Sequence, residues 1–305
     1  MKLDDYRTSD NVGDERGQSF GGGGGFGGGG GLFPLLFGIV ASRFGIGGIV
    51  VLVIGALIFG GNPMSLMGGG QSVLPAGSGQ PTISHEGAAK ACSANAASKF
   101  SCQVLASTED TWSAIFQQQG KQYTPTALIF YSSSGMSGCG AAQSAMGPFY
   151  CPNDKRVYLD TEFYDELQNK FGVSGNFAQA YVIAHEVGHH VQDELGILGQ
   201  ANQKQQSVSA KAGNAIQVLI ELQADCFAGV WAAHNRDRIE PGDIEGGLKA
   251  AHAIGDDTLQ QEAQGRVVPD SFTHGTSAER MKWLKKGIDS GDPGQCDTFQ
   301  AGADG

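Results

Sequence analysis

Residues Tyr181-Val-Ile-Ala-His185-Glu186-Val-Gly-His189-His190 decide how this chain is read. Phe177, Ala180, Tyr181, Ala184, Val187, Gly188 and Val191 recur at steps of three and four. That period predicts a helix over Asn176–Asp193, with Gly196 and Gly199 as stops. On such a helix His185 and His189 project from one face a single turn apart, so both imidazoles can hold one metal ion from the same side. Glu186 then lies beside the ion rather than on it, where a carboxylate can take a proton from attacking water. The competing reading is a buried amphipathic helix whose histidines are satisfied core groups. Gly188 costs about 1 kcal/mol of helix propensity relative to alanine, and a residue that small lets another backbone or a metal site come close.

A second long helix is predicted over roughly Ser207–Asn235, carrying Glu221-Leu-Gln-Ala-Asp225. Two acids four apart share one helix face, and here they sit among Val218, Leu219, Ile220, Leu222, Phe227 and Val230 rather than on a solvated stripe. Glu221 is the natural third ligand of a single Zn2+ ion, leaving a fourth position open for water. Asp225 can accept the other ring N–H of a ligating histidine and so fix its tautomer. A third histidine six residues after His189 is ruled out, because Gln192 and Leu195 stand where that arrangement needs Gly and His. His190 points elsewhere and is assigned to packing or to supporting a ligand, and Asp193 is a weaker ligand candidate. His85, His234 and His252 have no partner pattern. Ser271–Gly275 reads as a loop before a helix capped by Thr276 or Ser277. His274 on that loop can hydrogen-bond a developing oxyanion, and Arg280 can pair with Asp225 or another acid.

The chain has 305 residues, 48 glycines and a formal charge of −11, with no basic stripe, which argues against a nucleic-acid surface. Residues 1–31, polar and then almost all glycine, are expected to be a disordered cytoplasmic tail. Residues 32–61 hold only Arg43 as a charge and are expected to form one transmembrane helix. Residues 62–85 are expected to be a flexible linker, and 86–305 the folded domain. Lys2, Arg7, Arg16 and Arg43 precede the span, and the next basic residue is Lys90. The positive-inside rule therefore places the N-terminus in the cytoplasm and the domain in the periplasm or cell envelope. All six cysteines follow the span, which suggests disulfides in an oxidising compartment. Nearest-neighbour closure gives Cys92–Cys102, Cys139–Cys151 and Cys226–Cys296.

Helical patterning resumes near His85–Phe116, Thr126–Ser132 reads as a strand, and Pro148–Pro152 with Arg156–Asp160 flank an Asn153-Asp154 hairpin turn. A strand beside the metal helix is a place where an extended peptide can add by backbone hydrogen bonding; an ordinary structural hairpin is the competing use. The fold class expected is α+β, mainly helical, with a small sheet ahead of the metal helix.

Taken together, these segments resemble the bacterial neutral zinc metallopeptidase family. The resemblance rests on Arg7-Thr-Ser-Asp-Asn-Val12, the apolar span, Gly147-Pro-Phe-Tyr-Cys-Pro152, Phe177–Val191, Glu221–Trp231, Ile254-Gly-Asp-Asp257, Gln264–Ser277, Gly291-Asp-Pro293 and Cys296-Asp-Thr-Phe299. It implies a zincin-like domain of gluzincin type, with His185, His189 and Glu221 as zinc ligands, Glu186 as general base and Asp225 supporting a ligand. His274 matches a Thr-His element thought to assist the oxyanion in related membrane proteases. The expected activity is a membrane-anchored zinc endopeptidase acting on extracytoplasmic peptides or proteins. The alternatives are a non-catalytic, zinc-stabilised envelope adaptor with a closed four-ligand site, and metal-dependent hydrolysis of a non-peptide bond.

Overall fold

The computed structural model describes residues 1–18, 81–173 and 175–301. Its first element is unexpected: β1 (Val12–Asp14), at the N-terminus, is part of the main sheet. Helices α1 (His85–Ser93) and α2 (Ala96–Gln118) follow, separated where the Asn95 side chain accepts from the Ser98 backbone N–H and caps the second helix. The Cys92–Cys102 disulfide staples the two together. Next come β2 (Ala127–Phe130), the separate hairpin β3 (Ser134–Ser137) and β4 (Gly140–Gln143), then β5 (Phe149–Cys151) and β6 (Arg156–Leu159).

The four-stranded sheet has the order β1-β2-β6-β5. The first three strands are parallel, and β5 runs antiparallel to β6 at an edge. Strand β2 is buried along its whole length, as a central parallel strand must be. Leu128 and Phe130 face the main core, while Ala127 and Ile129 face a smaller cluster with Tyr131 and Tyr158. The expected strand over Thr126–Ser132 and the hairpin around Asn153-Asp154 are both present.

The rest is helical: α3 (Glu162–Phe171), α4 (Asn176–Glu194), α5 (Ile197–Gln205), α6 (Ala210–His234), α7 (Asp243–Ala253), α8 (Asp256–Gln264) and α9 (Ser277–Ser290). Helix α6 is the hub. It meets α4 at Gly188, where an added Cβ would stand 3.0 Å from the Ala224 carbonyl oxygen, so the close approach expected there is realised. It meets α9 still more tightly, since a Cβ on Gly287 would stand 2.0 Å from the Cys226 carbonyl oxygen. These backbone contacts bring side chains from three helices to one point. Among the described residues α6 is also long and apolar enough to cross a membrane, but 78% of its apolar window is buried inside the fold. The expected span over residues 32–61 lies outside the described residues. So does the expected linker over 62–85, except for its last residues, where Ser84 caps α1.

Residues 1–18 correct the expectation of a disordered tail over 1–31. Val12 pairs with Leu128, and Leu3, Ser9, Val12 and Glu15 are buried. Polar groups hold the arm as well. Glu109 on α2 is buried and accepts from Arg7 Nη2 at 2.9 Å, Asn11 Nδ2 at 2.8 Å and the Ser9 hydroxyl. The stretch Arg7–Val12 is thus a clamp on one buried carboxylate. A strand hydrogen-bonded to β2 stands on the same side of any membrane as β2. The expected orientation, N-terminus inside and domain outside, would separate parts that this fold joins. The positive-inside count treated Arg7 and Arg16 as free charges. In the fold Arg7 pairs with Glu109 and Asp110, and Arg16 pairs with Asp14 while its guanidinium lies over Phe130.

The three disulfides are Cys92–Cys102, Cys139–Cys151 and Cys226–Cys296, the nearest-neighbour set expected from spacing.

Candidate metal centre and active site

Helix α4 presents His185 and His189 on one face, with ring centroids 4.8 Å apart. Helix α6 brings Glu221 against both: Oε2 lies 3.2 Å from His185 Nε2, and Oε1 lies 3.6 Å from His189 Nε2. One ligand atom from each of the three residues falls within 4.8 Å of the others. Two imidazoles and a carboxylate are a donor set suited to zinc, and three protein donors are what a catalytic zinc site uses. The other ring nitrogens are already engaged. His185 Nδ1 lies 2.8 Å from Asp225 Oδ1, and His189 Nδ1 lies 2.9 Å from Gln192 Oε1, so Nε2 of each ring faces the common point. The residues present therefore fit the ion.

Asp225 is fully buried and saturated with donors. It accepts from Tyr181 Oη at 2.6 Å, from Arg280 Nε and Nη2 at 2.9 Å each, and from His185. Of the partners foreseen for Arg280, Asp225 is the one it takes. Burial opposes the Asp225 charge, but Arg280 and His185 outweigh burial and hold its carboxyl down to about 2. Burial likewise opposes the Glu221 charge, and His189 and His185 outweigh it, keeping Glu221 ionised. Gln217, one turn earlier on α6, donates to Glu221 Oε1 at 3.0 Å.

Glu186 is buried and lines the same cavity of about 400 Å³ without belonging to the three-ligand cluster. Burial pushes its carboxyl up, and the neighbouring histidines only partly offset this. A carboxylate with raised proton affinity, next to a metal position, is suited to accepting and returning a proton.

His274 lines the same cavity from the loop before α9. Its Nδ1 lies 3.2 Å from Asp256 Oδ1 and 3.1 Å from Thr273 Oγ1, and among the described residues no hydrogen-bond partner stands at Nε2. Asp256, fully buried at the start of α8, also accepts the backbone N–H groups of Thr273, His274 and Gly275 on Oδ2, at 2.7, 2.6 and 3.1 Å. One carboxylate therefore shapes the loop and orients the ring. Burial disfavours protonated His274, but Asp256 outweighs it and the ring's pKa is raised.

Every site residue expected from sequence thus lies in or against one cavity. The other candidates do not. His190 packs against Tyr123 and Tyr150, and its Nε2 lies 2.7 Å from the Thr124 carbonyl oxygen. Asp193 accepts from Tyr150 Oη. His85 contacts Asp10, and His234 contacts the Gly291 carbonyl. Sequence reasoning missed Asp256, Gln192, Gln217 and Tyr181. Of these, Asp256 falls within the Ile254–Asp257 block and Tyr181 within the Phe177–Val191 block already singled out.

A family model described as "Putative neutral zinc metallopeptidase" matches residues 1–299. The chain belongs to this family. The match includes the N-terminal arm, in keeping with the arm's place in the sheet. The chain is 48% identical over 303 residues to the "Uncharacterized protein YpfJ" of Escherichia coli K12, covering 98% of this chain and 99% of the relative. It is 43% identical over 213 residues to the "Uncharacterized protein Rv2575" of Mycobacterium tuberculosis H37Rv, covering 66% of this chain and 71% of that protein. No solved structure gives a significant match. For a zinc metallopeptidase family member, two histidines and a glutamate meeting at one point are the feature to be explained.

Proposed function

We propose that this chain is a zinc-dependent endopeptidase in which His185, His189 and Glu221 hold the ion, Glu186 is the general base and His274 stabilises the oxyanion. The observation that carries this reading is the convergence of three ligand atoms within 4.8 Å, with Glu186 and His274 in the same cavity. Bound zinc supplies Lewis acidity towards the scissile carbonyl and acidifies water. Glu186 takes the proton of the attacking water and later passes it to the leaving amine. His274, protonated and held at Nδ1 by Asp256, donates through Nε2 to the oxygen that gains charge, which is where a fixed donor lowers the barrier. Strand β5 lies at the sheet edge, and Tyr150 and Phe149 line the cavity, so an extended substrate can add to β5 by backbone hydrogen bonds. Phe163, Val182, Leu198 and Leu259 offer apolar contacts for its side chains. Cleavage of fluorogenic peptides by wild type and Glu186→Gln at equal zinc content tests the assignment.

The oxyanion role carries its own pH test. Asp256 raises the His274 pKa, so the donor stays protonated to higher pH than a free imidazole. In Asp256→Asn the raising charge is gone, and the alkaline limb of kcat/KM is expected to move to lower pH. An unmoved limb would assign that limb to another group.

Three disulfides suit an oxidising compartment outside the cytoplasm. Pairing of the arm with β2 supports putting it in the same compartment. We propose that the apolar stretch 32–61 attaches the chain to the membrane. Epitope tags at the two ends are therefore both expected to be digested by protease added to intact spheroplasts. Protection of the N-terminal tag alone would restore the opposite-sides topology.

A further inference from the structure

Two buried glutamines connect the candidate zinc site to the C-terminal turn. Gln192 on α4 is fully buried, and Gln223 on α6 nearly so. Gln192 Nε2 donates to the Ile220 carbonyl oxygen at 2.8 Å and to Gln223 Oε1 at 3.0 Å. Gln223 Nε2 in turn donates to the Cys296 carbonyl oxygen at 3.0 Å. Cys296 is fixed by its disulfide to Cys226, one turn beyond Gln223 on α6.

The direction of this chain of bonds is forced. A backbone carbonyl can only accept, so the Cys296 oxygen requires the NH2 end of Gln223, which turns Gln223 Oε1 towards Gln192. That oxygen and the Ile220 carbonyl both require the NH2 end of Gln192, which turns Gln192 Oε1 towards His189. An amide oxygen 2.9 Å from His189 Nδ1 requires a proton on Nδ1. Neutral His189 is then the Nδ1–H tautomer, with its lone pair on Nε2, the nitrogen that faces Glu221. Reversing either glutamine would set carbonyl oxygens against each other in a buried place, where an unmet polar group is costly.

We propose that Gln192 is the positioning residue for His189, its orientation set by the Ile220 carbonyl and, from the Cys226–Cys296 turn, through Gln223. Asp225 does the same for His185 with a charge; His189 is held by a neutral relay. The proposal rests on the zinc reading for its consequence, but the tautomer itself does not depend on a metal.

The test uses the full-length chain and two readouts. Zinc affinity is measured by competition with a chromophoric chelator, alongside urea unfolding of the metal-free protein. Gln192→Met, similar in volume but without the acceptor, is expected to weaken zinc roughly 10- to 100-fold. Gln223→Met leaves the His189 contact and the Ile220 carbonyl that also orients Gln192, and is expected to weaken zinc by a smaller factor. A folded Gln192→Met protein that binds zinc as tightly as wild type would overturn the proposal, since a merely structural glutamine changes unfolding and not zinc affinity. If Gln192→Met does not fold, the 15N spectrum of wild-type histidines without metal decides. A proton on His189 Nδ1 in the neutral ring supports the relay, and a proton on Nε2 overturns it. A wild type that takes no zinc would sink the proposed function, while the same spectrum would still judge the relay.

Discussion

Glu186→Gln is expected to keep its zinc and lose about three powers of ten in kcat/KM, within the range that a positioned general base contributes. That corresponds to about 4 kcal/mol of barrier. Three features make the expectation sharp. Glutamine has the shape of glutamate, so the packing of α4 is undisturbed. Glu186 lies outside the three-ligand cluster, so zinc content should not change. Its carboxyl is already pushed up by burial, so removing the charge relieves desolvation and should leave the melting temperature unchanged or raise it. Loss of activity with retained zinc and retained stability separates a chemical role from a structural one. Equal cleavage by both proteins would remove Glu186 from the mechanism.

The second large effect is expected from Arg280→Met, which touches neither zinc nor substrate in this scheme. Arg280 is 2% exposed and Asp225 fully buried, and the guanidinium gives the carboxylate two of its four donors. Replacing Arg280 leaves a buried charge with Tyr181 and His185 alone, and breaking such a pair typically costs about 3–5 kcal/mol. Against a total stability of about 5–15 kcal/mol for a domain, that is a large share. The same change loosens the group that holds His185, so zinc affinity should fall as well. Urea unfolding of the metal-free variants separates the two effects. The double variant Asp225→Asn/Arg280→Met is expected to be much less destabilised than the sum of the single ones, because the charges meet each other. Additive losses would show that the pair is not coupled.

Much of this site could be read from the chain. Spacing alone put His185 and His189 on one face and Glu221 and Asp225 on another, because side chains four apart on a helix are neighbours whatever the fold. Nearest-neighbour cysteine pairing and the strand Ala127–Phe130 followed from local pattern in the same way. What stayed hidden depends on long-range polar contacts. Residues 1–18 carry few apolar side chains, and their docking adds to β1–β2 pairing a set of bonds to Glu109, about a hundred positions away, which no hydrophobic period reveals. Gln192 entered the sequence argument only as the residue that ruled out a third histidine, yet it is the partner of His189. An amide in a helix reads as a polar face until its neighbours are known. Asp256 reaches a loop some 17 residues onward, again through backbone N–H groups that sequence does not mark.

The most direct measurement is the zinc content of the purified full-length chain beside His185→Ala, His189→Ala, Glu221→Ala and the exposed control His252→Ala. One zinc per chain is expected in wild type and His252→Ala, with loss or severe weakening in the other three. A wild type without zinc, or a Glu221→Ala protein that holds it as tightly as wild type, would contradict the assignment of α4 and α6 as the two halves of one metal centre.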